Sequence, residues 1–251
     1  MVRVLSRIKQ FDLPPDGLLP IYKLQMLTGT YEKETVDVCK KIIRPGMTIF
    51  DIGAHVGYYT LLFSRLVEPK GRVLAFEPHP RNFDILRKNV ERHSLQNVSL
   101  IQKAVSNADG NSLFYETAGS MGHSLHPVKS HVGQFPVELT SVETVLGRAG
   151  LGEVHFMKID VEGGELEVLD GMRHVAKRCQ ELYLIVEFKR YILRKRNCDP
   201  FDLLERLFDM DFEVFIVGRR GKLRSLTRSN ARQILSSIEK CNLLGRKVLQ
   251  V

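Results

Sequence analysis

Carboxylates directly follow four short apolar runs of this 251-residue sequence: Asp51, Glu77, Asp160 and Glu187. In an open α/β sheet, the carboxyl ends of the strands border the crevice in which ligands bind, so acids at these positions indicate a binding site rather than packing. Asp51 also begins a glycine-rich loop. Its Gly53 and Gly57 permit a tight turn and the close approach of a ligand to the backbone.

The spacing of the first two acids favours a nucleoside cofactor. Glu77 follows Asp51 at nearly the distance at which a nucleotide-binding unit presents a carboxylate to ribose hydroxyls. A dinucleotide loop reads G-x-G-x-x-G, but His55 replaces its middle glycine and Tyr58-Tyr59 would crowd a pyrophosphate. S-adenosylmethionine has no phosphate and carries cationic ammonium and sulfonium groups, which suit the acid at position 51. The sequence therefore predicts S-adenosylmethionine as the cofactor.

Charged residues alternate at the end of a further apolar run, as Lys158, Asp160 and Glu162. On an extended strand these side chains would point to one side, and three unpaired charges are costly to bury. They therefore either lie past the strand in the cleft or form a buried ion network. We predict that Asp160, tuned by Lys158 and next to Glu162, orients or deprotonates the acceptor. Two carboxylates alone make a poor cation site, and we predict no metal.

The elements that would position these residues alternate between strand and helix. Apolar patterns predict strands over 47–50, 73–76, 98–101, 154–159, 182–187, 212–217 and 243–249. Helices are predicted over 35–43, 59–66, 80–90, 164–172 and 200–210, and a turn at 14–17. This alternation is typical of an α/β protein with a mainly parallel sheet, helices on both faces and one closing antiparallel strand.

The stretch from 107 to 136 is less regular and is predicted to form a hairpin and a mobile loop. Its His123, Ser124 and His126 are predicted to lie on the surface rather than to act in catalysis. Tyr31-Glu32, before the first predicted helix, are interpreted either as a cover over the cofactor or as a helix cap.

Composition limits the classes of protein that remain. Apolar residues make up 43% of the chain, enough for a sizeable core, and no apolar run is long enough to span a membrane. The charged N-terminus lacks the apolar stretch of a secretory signal, and four scattered cysteines favour a reduced, cytoplasmic protein. The net charge of +8 comes mainly from late basic residues, which we interpret as a solvated face: 189–190, 194–196 and 219–232.

Four motifs together resemble the FkbM family of methyltransferases: Asp51–Thr60, Phe76–Pro80 with Asn82, Phe83 and Leu86, Lys103–Ser106, and Lys158–Gly171. The resemblance spans roughly Tyr31 to Val217, and its last motif is the most family-specific. Two positions depart from the usual pattern, because His55 stands where the family has Asn and Gly164 where it has Ala.

This resemblance implies a class I methyltransferase fold, Rossmann-like, with a seven-stranded sheet whose final strand is antiparallel. It implies that Asp51, Gly53 and Gly57 border the methionine part of the cofactor and that Glu77 binds the ribose hydroxyls. Residues around Ala104 would border the adenine. We add His55, Tyr58, Pro78 and Asp160 to the predicted cofactor site, and we divide the chain into an N-terminal helical extension, 1–45, and a methyltransferase domain, 46–251.

The predicted activity is methyl transfer from S-adenosylmethionine to a hydroxyl of a sugar or natural product, a reaction typical of this family. Two alternatives belong to other classes. The late basic residues would suit a non-catalytic protein that binds nucleosides or nucleic acid. An NAD-dependent reductase is disfavoured because the loop lacks the middle glycine.

Overall fold

The computed structural model describes residues 20–127, 129 and 131–248. The turn predicted at 14–17, and the rest of the predicted extension before residue 20, lie outside them. The helices are α1 (Pro20–Thr28), α2 (Lys33–Ile42), α3 (Tyr58–Val67), α4 (Pro80–Arg92), α5 (Val142–Arg148), α6 (Glu165–Gly171), α7 (Arg173–Arg178), α8 (Arg190–Lys195), α9 (Asp202–Asp209) and α10 (Ala231–Leu235).

The strands are β1 (Thr48–Ile52), β2 (Arg72–Phe76), β3 (Val98–Ile101), β4 (Ala104–Val105), β5 (Gly110–Thr117), β6 (His131–Thr140), β7 (Phe156–Ile159), β8 (Glu181–Lys189), β9 (Glu213–Val217), β10 (Leu223–Leu226) and β11 (Lys240–Val248). The main sheet has eight strands in the order β10-β9-β11-β8-β7-β1-β2-β3. Strands β1, β2, β3, β7 and β8 pair in parallel, and β11 runs antiparallel to both β8 and β9. The strand order reverses beside β1, which lies between β2 and β7, so the expected ligand crevice lies there.

The count of seven strands is wrong by one, because β10 adds an antiparallel edge next to β9. Its sequence, Leu-Arg-Ser-Leu, is exposed except at Leu226. An edge strand with a single buried side chain shows no apolar pattern. The sequence of this segment therefore indicates only part of a basic surface.

Helices cover both faces of the main sheet, as predicted. Every residue of β1 is buried; Phe50 and Ile52 point to one apolar core and Ile49 to the other. Helices α5, α6, α7 and α9 contribute to the first core, and α2, α3 and α4 to the second. Because both faces are apolar, polar side chains of the central strands are expected at their ends, where the crevice lies.

A smaller sheet of β4, β6 and β5 contains the predicted hairpin. The surface placement predicted for His123 and Ser124 is wrong, since their exposed fractions are 6% and 1%, whereas His126 is half-buried. The connection between β5 and β6 folds back against β5 through reciprocal backbone hydrogen bonds between Tyr115 and Ser124. The Ser124 hydroxyl then donates to the Glu162 carbonyl at 2.9 Å, which holds this connection over the carboxyl edge of the main sheet.

The interpretation of the late basic residues as one solvated face is also wrong in part. Lys189 is buried, and Arg190, Arg196, Arg228 and Arg232 form ion pairs with carboxylates from other segments. These acids lie far away in sequence, so a count along the chain overstates the free positive charge. Among the described residues, none of the helices has the length and apolar character required to cross a membrane.

Candidate functional site at the carboxyl edge of the sheet

Asp51 lies at the end of β1 with its side chain fully buried. Its Oδ2 accepts a hydrogen bond of 2.5 Å from the Thr60 hydroxyl of α3, whereas Oδ1 has no hydrogen-bond partner among the described residues. Burial raises the pKa of this carboxyl. A buried oxygen without a partner is costly, so Asp51 has one acceptor position available for a ligand.

Gly53 and Gly57 permit the loop between β1 and α3, and both have left-handed φ angles, of 83° and 93°. A Cβ at Gly53 would lie 1.9 Å from the backbone oxygen of Asp160. A Cβ at Gly57 would lie 2.6 Å from Cδ1 of Leu86 in α4. The glycines therefore bring protein segments together at the site, in addition to the role in ligand approach that the sequence suggests.

Glu77, which follows β2, connects two parts of the site through its buried carboxylate. Its Oε2 accepts a hydrogen bond of 2.8 Å from the backbone N–H of His55, and its Oε1 accepts one of 3.0 Å from that of His79. Burial raises the pKa of Glu77 to about 7, against the opposing effect of these two hydrogen bonds. The Asn82 side chain also hydrogen-bonds to this carboxylate, and the acceptor positions that remain are available to a ligand.

His55 lies between Glu77 and the connection from β5 to β6. Its backbone is left-handed, with φ of 52°, and its ring hydrogen-bonds to the backbone of Ser120, whose carbonyl also accepts from Asn82 Nδ2 at 3.1 Å. Burial lowers the pKa of His55 to about 4, so the ring is neutral at pH 7. Its buried Nε2 has no partner among the described residues. A neutral ring with one nitrogen engaged can present the other to a ligand.

These residues border two adjoining hollows. The larger is an open cleft of about 740 Å³ whose lining includes Gly53, His55, Glu77, Pro78, Ala104, Asp160 and Glu162. The smaller, of about 320 Å³, is bordered among others by Asp51, Gly53, His55, Tyr58, Lys158 and Asp160. Of the predicted site residues only Gly57 is not part of either lining. The structure thus brings together residues that lie more than a hundred positions apart in sequence.

Asp160, just beyond β7, lies between two ammonium groups. Lys158 Nζ is 2.9 Å from its Oδ2, and Lys189 Nζ is 3.8 Å from its Oδ1. Burial alone would raise the pKa of Asp160, but Lys158 and then Lys189 outweigh it and hold that pKa well below the usual range. Asp160 is therefore ionised and only weakly basic.

Both arrangements that the sequence left open for the Lys158, Asp160 and Glu162 run occur together. Lys158 is buried within β7, whereas Asp160 and Glu162 lie past its end and border the cleft. The extended backbone does not continue to Glu162, which has a φ of 54°. The carboxylates of Asp160, Glu162 and Glu187 approach within 4.8 Å of one another, and the Lys189 ammonium lies among them. The absence of a metal therefore stays a prediction.

Two residues that shape this edge, Glu165 and Lys189, are not predicted from the sequence. Glu165 Oε1 accepts hydrogen bonds of 3.2 Å from the backbone N–H groups of Val161 and Gly163, and so fixes the loop after β7. Tyr31, one alternative for which is a cover over the cofactor, borders both hollows, whereas Glu32, at the start of α2, makes no capping hydrogen bond with its side chain. Lys189 is the second unpredicted residue. Its position two residues after Glu187 on one strand was the available signal, since both then point to the same side.

Comparison with known proteins places the chain among methyltransferases. A family model described as "Methyltransferase FkbM domain" matches residues 51–214. The hexuronic acid methyltransferase AglP of Haloferax volcanii is 25% identical over 210 residues, 80% of this chain and 81% of that protein. The 31-O-demethyl-FK506 methyltransferase FkbM of Streptomyces tacrolimicus is 31% identical over 160 residues, 52% of this chain and 61% of that protein.

Among solved structures, the methyltransferase FkbM from Methylobacillus flagellatus is similar in fold. The TM-score is 0.53 at 14% sequence identity, and the match covers 96% of this chain and 58% of that chain. At this identity the similarity concerns the fold alone.

Proposed function

Because the chain belongs to the FkbM family of methyltransferases, we propose that it transfers the methyl group of S-adenosylmethionine to a hydroxyl oxygen of a sugar or another natural product. The observation that carries this proposal is the set of buried polar groups at the reversal of strand order. Asp51, His55 and Glu77 present acceptors there to a cationic, hydroxyl-bearing ligand. The family is one of methyltransferases, which favours methyl transfer over the reductase and the non-catalytic nucleic-acid-binding protein.

The buried hydrogen-bond acceptors fit the two polar parts of this cofactor, which are its methionine part and its ribose. We assign the free Oδ1 of Asp51 and Nε2 of His55 to N–H or O–H donors of the cofactor, and the carboxylate of Glu77 to its ribose hydroxyls. Gly53, Gly57 and Tyr58 would shape the loop around it, and Pro78 and Ala104 would border the base. When bound, the cofactor supplies an electrophilic methyl group on a sulfonium.

The acceptor hydroxyl is assigned to the side of the cleft bordered by Asp160 and Glu162. Because Lys158 and Lys189 keep Asp160 ionised, we assign it the role of accepting a hydrogen bond from that hydroxyl and aligning its oxygen. As the oxygen gains the methyl group and the methyl–sulfur bond breaks, the hydroxyl proton passes through Asp160 to water in the open cleft. We assign Lys158 and Glu162, together with Asp160, to the set of catalytic residues. Alignment of donor and acceptor is expected to supply most of the acceleration.

The names of the relatives support the class of acceptor. One is named for a hexuronic acid and another for 31-O-demethyl-FK506. The lining of the cleft includes Asp160, Glu162 and Lys103, whose carboxylates and ammonium group together can bind several hydroxyls at once. We therefore propose a polyhydroxylated acceptor and no nucleic acid.

The location and division of the chain are proposed on separate grounds. All four cysteines are free, which suits a reducing compartment, so we propose the cytoplasm. We also propose that residues 46–251 form the methyltransferase domain, preceded by a helical extension to which α1 and α2 belong.

The proposed function is tested by calorimetry and by labelled-methyl transfer. We expect S-adenosylmethionine and S-adenosylhomocysteine to bind and NAD not to bind. Incubation of the protein and methyl-labelled cofactor with a metabolite extract is expected to yield a labelled product, whose mass spectrum and resistance to mild base identify a methyl ether. Tight binding of NAD would contradict the cofactor assignment, and label on nitrogen or carbon alone would contradict the acceptor assignment.

Cofactor affinity is expected to fall as the pH decreases through 7. The carboxyl of Glu77, with its pKa of about 7, can accept from both backbone N–H groups and from ribose hydroxyls only when it is ionised. Because the apparent Kd varies inversely with the ionised fraction, it should rise about tenfold between pH 8 and pH 6. Calorimetry with S-adenosylhomocysteine measures this change.

Glu165 provides the control for this pH dependence, because burial raises its pKa to about 7 as well. Its carboxylate holds backbone N–H groups of the loop after β7 and does not border the cleft. The variant Glu165→Gln should therefore keep the pH dependence of cofactor binding. Loss of the dependence in this variant would assign the titration to Glu165 and contradict the role of Glu77.

A further inference from the structure

Six charged side chains, three of each sign, meet at the carboxyl ends of β7 and β8 and the adjacent amino end of the antiparallel strand β11. From Lys158 the series continues through Asp160, Lys189, Glu162 and Glu187 to Lys240, whose Nζ is 2.6 Å from Glu187 Oε1. Three ammonium groups and three carboxyl groups therefore meet here, and burial followed by the charge of Asp160 raises the pKa of Glu187 well above the usual value. Only two of the carboxylates, those of Asp160 and Glu162, border the cleft.

Lys189 is the centre of this network. Its Nζ is 2.7 Å from Glu162 Oε1, 2.5 Å from Glu187 Oε2 and 3.8 Å from Asp160 Oδ1, and its side chain is only 9% exposed. Among the cations of the described residues, it alone contacts both cleft carboxylates. A buried ion network adds little stability over apolar residues of similar size, because desolvation offsets the attraction. Its place under the cleft therefore points to a role in the site.

We propose that Lys189 is a positioning residue for methyl transfer, and that its ammonium group keeps Asp160 ionised and orients Asp160 and Glu162 to accept a hydrogen bond from the acceptor hydroxyl. The proposal rests on the function proposed above. It extends that function by assigning a residue that neither the sequence motifs nor the family match identifies.

The charges around Asp160 give the physical reason. Without Lys189, Asp160 would face the Lys158 ammonium alone with the buried Glu187 still beside it, so Asp160 itself would bind a proton more readily. A protonated carboxyl that donates within the network no longer offers both oxygens to an acceptor hydroxyl. Burial would lower the pKa of Lys189, but Asp160, Glu187 and Glu162 outweigh it and raise that pKa well above the usual value, so the ammonium form persists. Further titratable groups that face the network are Tyr31, Glu32, Asp51, His55, Glu165 and Cys241.

The test measures the pKa of Asp160 by carboxyl ¹³C NMR in the full chain, which requires no acceptor. In Lys189→Met this pKa is expected to rise by about 1 unit or more, and in Lys189→Arg it should stay near the wild-type value. Lys195→Met is the matched control, because Lys195 stacks over Tyr191 on α8, outside the network. An unchanged pKa in Lys189→Met would overturn the proposal.

The same variants are then assayed with methyl glycosides of neutral hexoses and hexuronic acids. The assays use a glycoside that the wild type methylates and saturating S-adenosylmethionine, so that the titration of Glu77 does not contribute. The acid limb of kcat/KM for the glycoside should then move to higher pH in Lys189→Met by the same amount, while the Kd of S-adenosylhomocysteine changes less than about threefold. If both Lys189 variants lost the same fraction of kcat/KM and the acid limb did not move, Lys189 would have a merely structural role and the proposal would be wrong. If the wild type methylates none of the glycosides, the proposed acceptor class fails, and the NMR result still decides the role of Lys189.

A second background keeps the test decisive if Lys189→Met does not fold. Lys189→Met combined with Glu187→Gln removes the ammonium group together with the carboxyl whose titration is linked to that of Asp160. Compared with Glu187→Gln alone, the double variant should show an Asp160 pKa higher by about 1 unit. Equal values in the two proteins would overturn the proposal.

Discussion

The variant Glu77→Ala is expected to weaken the binding of S-adenosylmethionine and S-adenosylhomocysteine by at least about 100-fold. Hydrogen bonds to a charged acceptor contribute roughly 1.5–3 kcal/mol each, and the assigned role of Glu77 includes two of them. The carboxylate also holds the backbone N–H groups of His55 and His79, so its loss loosens the loop that carries the other cofactor contacts. Calorimetry at pH 8 measures the change where the wild-type carboxyl is ionised.

Glu116→Gln is the matched control for this variant. Glu116 lies next to the same segment, with Oε1 3.2 Å from Nε2 of His79, but it does not border the cleft. The Kd of Glu116→Gln for S-adenosylhomocysteine should stay within about threefold of the wild-type value. Thermal unfolding of both variants shows whether a lower affinity results from lost cofactor contacts or from a less stable protein. Cofactor affinity close to wild type in a folded Glu77→Ala protein would show that the ribose assignment is wrong.

The variant Asp160→Asn is expected to lower kcat by about 100-fold or more and to change the Kd of S-adenosylhomocysteine little. Groups that accept or orient a proton in the transition state typically contribute 10²–10⁴-fold. Asparagine keeps the shape of the side chain but removes the charge that two lysines stabilise. Because those lysines make Asp160 a weak base, we expect it to act by alignment, so the loss should be similar at pH 7 and pH 9.

Asp170→Asn provides a control of the same chemistry. Asp170 also accepts from two cations, Arg173 and Arg206, each at 3.0 Å, but it lies at the end of α6 away from the cleft. The kcat of Asp170→Asn should stay within about twofold of the wild-type value, although its free energy of unfolding should change about as much as that of Asp160→Asn. Full activity of Asp160→Asn with an acceptor that the wild type methylates would contradict the assigned role.

Much of the fold could be predicted from the sequence. The class I methyltransferase fold that the resemblance implies is confirmed, because the strand order around β1 and the neighbouring solved structure agree with it. Long elements with strong apolar patterns, such as α4 and β8, were the easiest to predict. Residues such as Leu223–Leu226 were missed because an exposed edge strand has too little apolar surface to show a pattern.

By itself the sequence determined the local part of the site. Asp51, the glycines after it and the Lys158–Glu162 run are each set within a few residues, where strand period and glycine conformation decide the result. Only the tertiary structure showed that Lys189 and the buried His123 are part of the site. It also decided that His55 is neutral and has a free Nε2, because both depend on burial. Burial and ion pairing depend on segments that are distant in the chain, and a charge in one sequence motif does not reveal which partner faces it.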